Sequence, residues 1–237
     1  MSVALANQLR EGTKKSHTMA ENTGFVSCFL KGVVDRSTYR NLIADLYFVY
    51  SAMEEEISKL SDINHPVIAP IGFKELNRRE SLEEDLAFYF GKDWRNNLKQ
   101  SPSGNAYEIR IRNIAKEKPE LLIGHHYTRY IGDLSGGQIL KNIAQKAMNL
   151  PDQNGLRFYE FNNINDEKAF KNKYSQTLNS LPIDQNMADL IIDEANFAFK
   201  CNMDMFKELE GNLIRAIGKV LFSFLTKRTR RGSTEKN

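Results

Sequence analysis

The stretch Tyr127-Thr128-Arg129-Tyr130-Ile131-Gly132-Asp133-Leu134-Ser135-Gly136-Gly137-Gln138 decides how the rest of this chain is read. It lies inside a long helical pattern, yet three glycines, Gly132, Gly136 and Gly137, fall within six positions. A glycine in a helix interior costs about 1 kcal/mol relative to alanine, so the cluster opposes the element that contains it. Two physical reasons would retain it: a ligand lying against the main chain, or a second helix crossing too close for a Cβ. Asp133 is the charged side chain between the glycines. Together with the lone helical histidine far upstream, His17, it suits a flat cofactor clamped between two helices. A ligand-free helix crossing accounts for the glycines equally well at this point.

Outward from the cluster the pattern is helical in both directions. Pro119 is well placed as the first residue of the helix that carries the glycines, and Pro151 stops it. Leu5, Leu9, Thr13 and His17 recur every four residues, which predicts one first helix with His17 on its inward stripe. Ser37 is a candidate cap for a long helix in which Tyr39, Leu42, Ile43, Leu46, Val49, Tyr50, Met53 and Ile57 keep helical spacing. Pro66, Pro70 and Gly72 predict a loop. Leu82, Leu86 and Phe90, then Tyr107, Ile111 and Ile114, mark two helices separated by the turn Ser101-Pro102-Ser103-Gly104. Asp166 caps a helix to about Asn179, and a last helix runs from about Asp184 to Glu210 with Leu190, Ile191, Ala195, Ala198, Phe199, Met203 and Phe206 on one side. Residues 156–164 come nearest to a strand and are too rich in asparagine to make one. The expectation is a single all-α domain over 1–225 with a basic, disordered tail over 226–237.

Charge and composition exclude several classes. The chain has 237 residues, 41% hydrophobic and 27% charged, which suffices for a core. Residues 226–237 carry a net +4, which leaves 1–225 at −1 of the chain's formal +3. The basic character belongs to the tail, so a nucleic-acid-binding body is not implied. Cys28 and Cys201 have no Cys-x-x-Cys spacing and read as buried free thiols of a reducing compartment. The amino terminus has neither a secretory nor a transit pattern. Leu213 to Leu225 is interrupted by Arg215 and Lys219 and is too short to span a bilayer.

Among candidate chemical groups, His65 precedes a proline and reads as a surface residue, while the adjacent His125 and His126 point to different helix faces and cannot chelate one metal. No His-x-x-x-His or Glu-x-x-His pair supports zinc or a di-iron site. A single neutral imidazole, however, is what haem iron takes on one axial face, and Glu21, four residues beyond His17, is placed to accept the other ring N–H. Nucleophile elbows and phosphate-binding glycine loops are missing from the sequence. Glu54-Glu55-Glu56 reads as a solvated helix face.

These residues resemble the haem oxygenase family over nearly the whole of 3–210. The resemblance covers Thr13-Lys14-Lys15-Ser16-His17-Thr18-Met19-Ala20-Glu21-Asn22, Glu83-Glu84-Asp85-Leu86-Ala87-Phe88, Pro119-Glu120-Leu121-Leu122, the run Tyr127 to Gln138, Asn142-Ile143-Ala144-Gln145-Lys146-Ala147 and the pattern around Phe199, Asn202 and Phe206. It implies haem between a proximal and a bent distal helix, as both cofactor and substrate, with no other metal. His17 matches the iron ligand and Glu21 its partner. Gly132, Gly136 and Gly137 match the distal glycines, and Asp133 the carboxylate that organises distal water with Tyr50, Arg129 and Asn202. Arg10, Lys171 and Tyr127 match propionate-binding positions, with Lys14, Thr128 and Lys168 beside them, and Phe199 and Phe206 match apolar pocket residues.

The implied reaction is cleavage of haem at a meso carbon, α by expectation, to biliverdin, ferrous iron and carbon monoxide. Ser175 stands where vertebrate members carry a propionate-side arginine, and their carboxy-terminal membrane anchor has no counterpart. The resemblance is to soluble cyanobacterial and plastid members, which implies a cytosolic or stromal protein, reduced ferredoxin as electron donor, and a downstream bilin reductase. Lys14, Lys15, Lys141, Lys168, Lys171 and Lys173 are the candidate cations for docking an acidic ferredoxin.

Overall fold

The computed structural model describes residues 3–151 and 154–231, the stretch 211–231 by its backbone alone. Helix α4 (Arg36–Asp62) is its spine: Tyr39, Ile43, Val49, Tyr50, Ala52 and Met53 are fully buried along it. Its cap is Asp35 and not Ser37. Asp35 Oδ1 accepts the Ser37 and Thr38 amides at 2.8 and 3.0 Å, which makes Ser37 a first-turn residue. Packed on α4 are α5 (Arg79–Phe90), α7 (Pro102–Glu117) and the long α11 (Gln185–Arg231). Among the described residues every element is a helix.

Several expectations shift in detail. The single first helix is two, α1 (Leu5–Gly12) and α2 (Lys14–Glu21), hinged at Thr13. Thr13 Oγ1 donates to the Leu9 carbonyl at 2.7 Å, a bond from side chain to preceding turn of the kind that bends helices. A short α3 (Gly24–Leu30) follows. The Pro66–Gly72 loop holds a 3₁₀ turn, Ala69–Ile71, and His65 is largely buried there, its Nδ1 accepting the Val67 and Ile68 amides at 3.3 Å. Ser101-Pro102-Ser103-Gly104 is not a free turn but the start of α7, with Ser101 Oγ accepting the Gly104 amide. The short α6 (Trp94–Asn97) precedes it. Residues 157–159 form a 3₁₀ turn. Asp166 caps α10 (Glu167–Ser180) as expected. On α11, Ile191, Ala195 and Ala198 are buried but Leu190 is exposed. That helix continues past Glu210 and through 225 to Arg231, so 226–231 are helical here, and 232–237 lie outside the described residues.

Glu54-Glu55-Glu56 is not a solvated face. Glu54 Oε1 accepts the Arg78 and Arg79 amides at 2.5 and 3.1 Å. Glu55 and Glu56 both pair with Arg112 at 3.1 Å. The three carboxylates thus fix the segment leading into α5 and the flank of α7. Cys28 and Cys201 are half-buried and unpaired. No helix among the described residues is long and apolar enough to cross a membrane.

His125 and His126, on α8 (Leu122–His126), are structural. His125 bridges Tyr107 Oη at 3.3 Å and Glu194 Oε1 at 2.8 Å, and His126 Nδ1 meets Tyr174 Oη at 2.8 Å. Burial pushes the His126 imidazole down from 6.5 to about 3. An unfolded histidine therefore binds its proton well before the folded one does, so this contribution is full above pH 6.5 and is lost as pH falls below it. Lowering the pH from 7 to 5 should cost about 2 kcal/mol through His126 alone. Asp85, pushed up to about 7, and His125, pushed down, titrate in the same window, so urea unfolding at the two pH values is read as the difference between the parent and His126→Gln. A parent–variant difference that does not change with pH would show the buried neutral state to be wrong.

Candidate functional site

The run that carries the glycine cluster is not one regular helix. After Pro119 comes a 3₁₀ turn (Pro119–Leu121), then α8, then a π-helical turn over Tyr127–Ile131, then α9 (Gly132–Met148). The irregularity therefore sits one step before the glycines, where the hydrogen-bonding register widens. Asn149 in the left-handed conformation ends α9 just short of Pro151.

The glycines divide by what surrounds them. A Cβ built on Gly132 or Gly136 meets nothing within 4 Å, because both open into a cleft. A Cβ on Gly137 would stand 3.3 Å from Tyr159 Cδ1, so Gly137 packs against protein and does not line that cleft. The helix crossing too close for a side chain does exist, but at Gly124, whose Cβ would lie 2.7 Å from the Ala195 backbone nitrogen. The two readings of glycine in this run are both realised, at different positions.

The cleft encloses about 780 Å³, within the range of small-molecule sites. Its lining gathers Arg10, Lys14, His17, Glu21, Tyr127, Thr128, Gly132, Gly136 and Phe199 from sequence segments far apart. Glu11, Thr13, Thr18, Ile131 and Ser135 complete it; the sequence assigns them no binding role, and each lies within one turn of a residue that has one. His17 does not continue the buried stripe. Leu5, Leu9 and Thr13 are buried, while the hinge at Thr13 turns His17 outward into the cleft with its side chain 56% exposed. Its ring meets Phe199 edge-on at 5.9 Å, and Nδ1 lies 3.7 Å from Glu21 Oε1.

Asp133 points the other way, into a buried polar knot. Tyr50 Oη donates to Asp133 Oδ2. Arg129 Nη2 donates to Asp133 Oδ1 at 3.1 Å, its Nε to Tyr50 Oη at 3.1 Å and its Nη1 to Asn202 Oδ1 at 2.8 Å. Asn202 is oriented by donating Nδ2 to the Ala198 carbonyl at 2.8 Å. Burial pushes the Asp133 carboxyl well above the ordinary carboxylate range and the Arg129 guanidinium down. A carboxyl whose protonated form burial favours is suited to proton transfer.

The remaining sequence candidates fall elsewhere. Phe206 stacks on Phe25 at 5.6 Å and lines a second, smaller apolar cavity that Asp133, Arg129, Phe158 and Tyr159 also border. Lys168 is exposed on α10, and Lys171 pairs with Glu167 at 3.3 Å; neither is among the lining residues of the main cleft. Lys141 is buried against Glu160 Oε1 at 2.9 Å and is not a surface cation. Lys173 lies 3.6 Å from Glu75 and over the Phe73 ring.

Comparison with known proteins matches this arrangement. The heme oxygenase family profile covers residues 3–208. The chain is 63% identical to heme oxygenase 1 of Synechocystis sp. over 235 residues, 99% of this chain and 97% of that protein. It is 52% identical to the heme oxygenase of Porphyra purpurea over 229 residues, 97% of this chain and 96% of that one. The crystal structure of heme oxygenase-1 from the cyanobacterium Synechocystis sp. in complex with heme superposes with a TM-score of 0.91 at 63% identity, covering 94% of this chain and 100% of that one. A profile spanning most of the sequence and relatives this similar over nearly its full length lead to one conclusion: the chain belongs to the heme oxygenase family.

Proposed function

We propose that the cleft binds haem and that the protein opens it at the α-meso carbon, releasing biliverdin, ferrous iron and carbon monoxide at the expense of dioxygen and reduced ferredoxin. One observation carries the reading: a helix wall left open by Gly132 and Gly136 borders the same cleft as the histidine His17. Haem, when bound, supplies both the iron at which dioxygen is activated and the carbon that is oxidised. His17 Nε2 would face the iron, with Glu21 accepting from Nδ1–H to fix the tautomer and raise ligand basicity. Arg10, Lys14 and Tyr127 at the cleft rim would hold the propionates, and Thr128 borders the same wall. Lys168 and Lys171 take part only by reaching in from α10, Lys171 by releasing Glu167. Phe199 packs the His17 side. The Tyr50–Arg129–Asp133–Asn202 knot would hold a water behind the open wall and move its proton toward the reacting edge, while Gly137 lets Tyr159 support that wall. No other metal takes part.

Adding haemin and a chemical reductant in air should convert the Soret band into a biliverdin spectrum. A Soret band that persists would refute cleavage. With reduced ferredoxin as donor the rate should fall as salt passes about 0.15 M, where the screening length is roughly 8 Å, and with the chemical reductant it should not. Lys14 and Lys15, both exposed on α2, are the proposed docking cations. A salt-insensitive ferredoxin reaction would remove ferredoxin charge docking from the proposal. The proposed setting is a cyanobacterial cytosol or plastid stroma, where a bilin reductase would take the product.

The glycine assignment has a test of its own. Gly136→Leu should stabilise the haem-free protein by up to about 1 kcal/mol, since leucine is the better helix former and meets open space. The same side chain would fill the cleft, so haem affinity should drop at least roughly tenfold. Denaturant unfolding and a haem titration measure the two. Unchanged affinity would mean that Gly136 does not face the haem.

A further inference from the structure

The acidic segment Glu83-Glu84-Asp85 has no part in the cleft, yet Asp85 is completely buried. From α5 its two carboxylate oxygens accept successive amides of the 157–159 turn: Oδ1 from Arg157 N at 2.8 Å and Oδ2 from Phe158 N at 2.9 Å. That turn bears on the Asp133 knot at two points. The Phe158 ring packs against the Tyr50 ring with centroids 5.6 Å apart, behind the hydroxyl that donates to Asp133. The Tyr159 ring packs close to Gly137, 3.3 Å from where a Cβ would stand, one residue beyond the open Gly136, and its carbonyl accepts Gln138 Nε2 at 3.0 Å. Phe158 and Tyr159 also wall the small cavity that Asp133 and Arg129 border. Arg78 ties the same turn from the other side, its Nη1 donating to the Phe158 and Glu160 carbonyls at 3.3 and 2.5 Å.

We infer that Asp85 is a positioning residue for the distal proton-handling group: by clamping the 157–159 turn it sets the placement of Tyr50 against Asp133 and the support of the α9 wall. It touches neither cleft nor haem and acts through Phe158 and Tyr159. The inference rests on the proposed haem-cleaving function for its consequence, but the structural coupling it asserts is independent of turnover. A two-pronged acceptor is needed because each prong holds one amide of a buried turn, and an amide left without an acceptor there is costly.

The test uses Asp85→Asn and Asp85→Ala in the full chain. Burial pushes the Asp85 carboxyl up to about 7, so the neutral carboxamide is close to a form the fold already accommodates and should be tolerated. Asparagine keeps one acceptor and turns an N–H₂ toward the other amide, so the two variants should rank parent, Asn, Ala in every readout. In the haem-free protein the NMR signals of the Tyr50 ring, which sits against Phe158, should shift in both variants. With haem bound, affinity should stay within about twofold, because no cleft residue contacts Asp85. The acid–alkaline transition of the ferric complex should move in the direction produced by Tyr50→Phe, and biliverdin formation should slow by roughly tenfold in Asp85→Ala. In a Tyr50→Phe background the Asp85→Asn effect on that transition should vanish. Tyr50 signals that do not move, or Asp85 and Tyr50 effects that simply add, would overturn the inference and leave Asp85 a stabilising contact only. A parent that makes no biliverdin strikes at the functional proposal instead, and the NMR result still decides the coupling.

Discussion

Replacing His17 with alanine should abolish biliverdin formation, lowering turnover by more than about 100-fold, the upper end of what losing even a supporting ligand contact causes. Nothing in the fold should suffer. His17 is more than half exposed in the cleft and its contacts are an edge-on Phe199 ring and a 3.7 Å approach to Glu21. The thermal midpoint of the haem-free protein should therefore stay within a degree or two, and added imidazole should restore part of the spectrum and of the activity. The control is informative because the other helical histidines are built differently. His125→Ala leaves Glu194, which Arg110 and the histidine together hold at about 2, to Arg110 alone and takes one partner from the buried Tyr107 hydroxyl. It should unfold the protein more easily and spare the iron spectrum of whatever remains folded. If His125→Ala loses the histidine-ligated spectrum while His17→Ala keeps it, the proximal helix is misassigned.

Removing the Asp133 carboxylate should have the second large effect, and on a different quantity. Biliverdin formation should fall by about 10²–10³-fold, the scale of losing one preorganised polar group at a reacting centre. Haem affinity should change little, because Asp133 faces Tyr50 and Arg129 and does not line the cleft. Oxidation of an added phenol by peroxide should rise in compensation. Alanine alone would leave the buried Arg129 guanidinium without its counter-charge, a defect worth about 3–5 kcal/mol in comparable cases, so stability must be measured beside activity. Asp133→Asn keeps an acceptor for Arg129 and separates the two effects: it should fold normally and still fail at ring opening. A well-folded Asn variant with parental biliverdin rates would remove Asp133 from the chemistry.

What could be read from the sequence follows from which interactions are local. Helical periodicity located α4, α5, α7, α10 and α11 because it is written every three or four residues. The glycine cluster located the cleft wall because its helix penalty has no local compensation. Failures came where a side chain's partner is remote. Glu54-Glu55-Glu56 looks like a solvated face until Arg78, Arg79 and Arg112 are brought to it. Lys141 looks like a surface cation until Glu160 closes over it. On a straight helix His17 would continue the buried stripe of Leu5, Leu9 and Thr13, and it is the break at Thr13 that turns it into the cleft. Tyr50, Arg129 and Asn202 came from resemblance to a family, since no periodicity joins positions 79 and 73 apart in sequence. Asp85 was quoted in a motif without a role, because the amides it holds lie 72 and 73 positions away.

The π-helical turn over Tyr127–Ile131 has a consequence for the ancestry and engineering of this wall. Such a turn holds one residue more than the α-helix it interrupts, and one residue of α-helix is a rotation of about 100°. Upstream of it, Gly124 and His125 are locked in register against α11; downstream, Gly132 and Gly136 face the cleft while Asp133 faces Tyr50. A chain shortened by one residue within the turn would gain a continuous helix and swing the downstream faces by that angle relative to the anchored ones. It should melt at a higher temperature and cleave no haem. The irregular turn thus behaves as a phase-setting insertion, keeping two helical registers out of step so that one segment grips the protein core while the next faces the cleft.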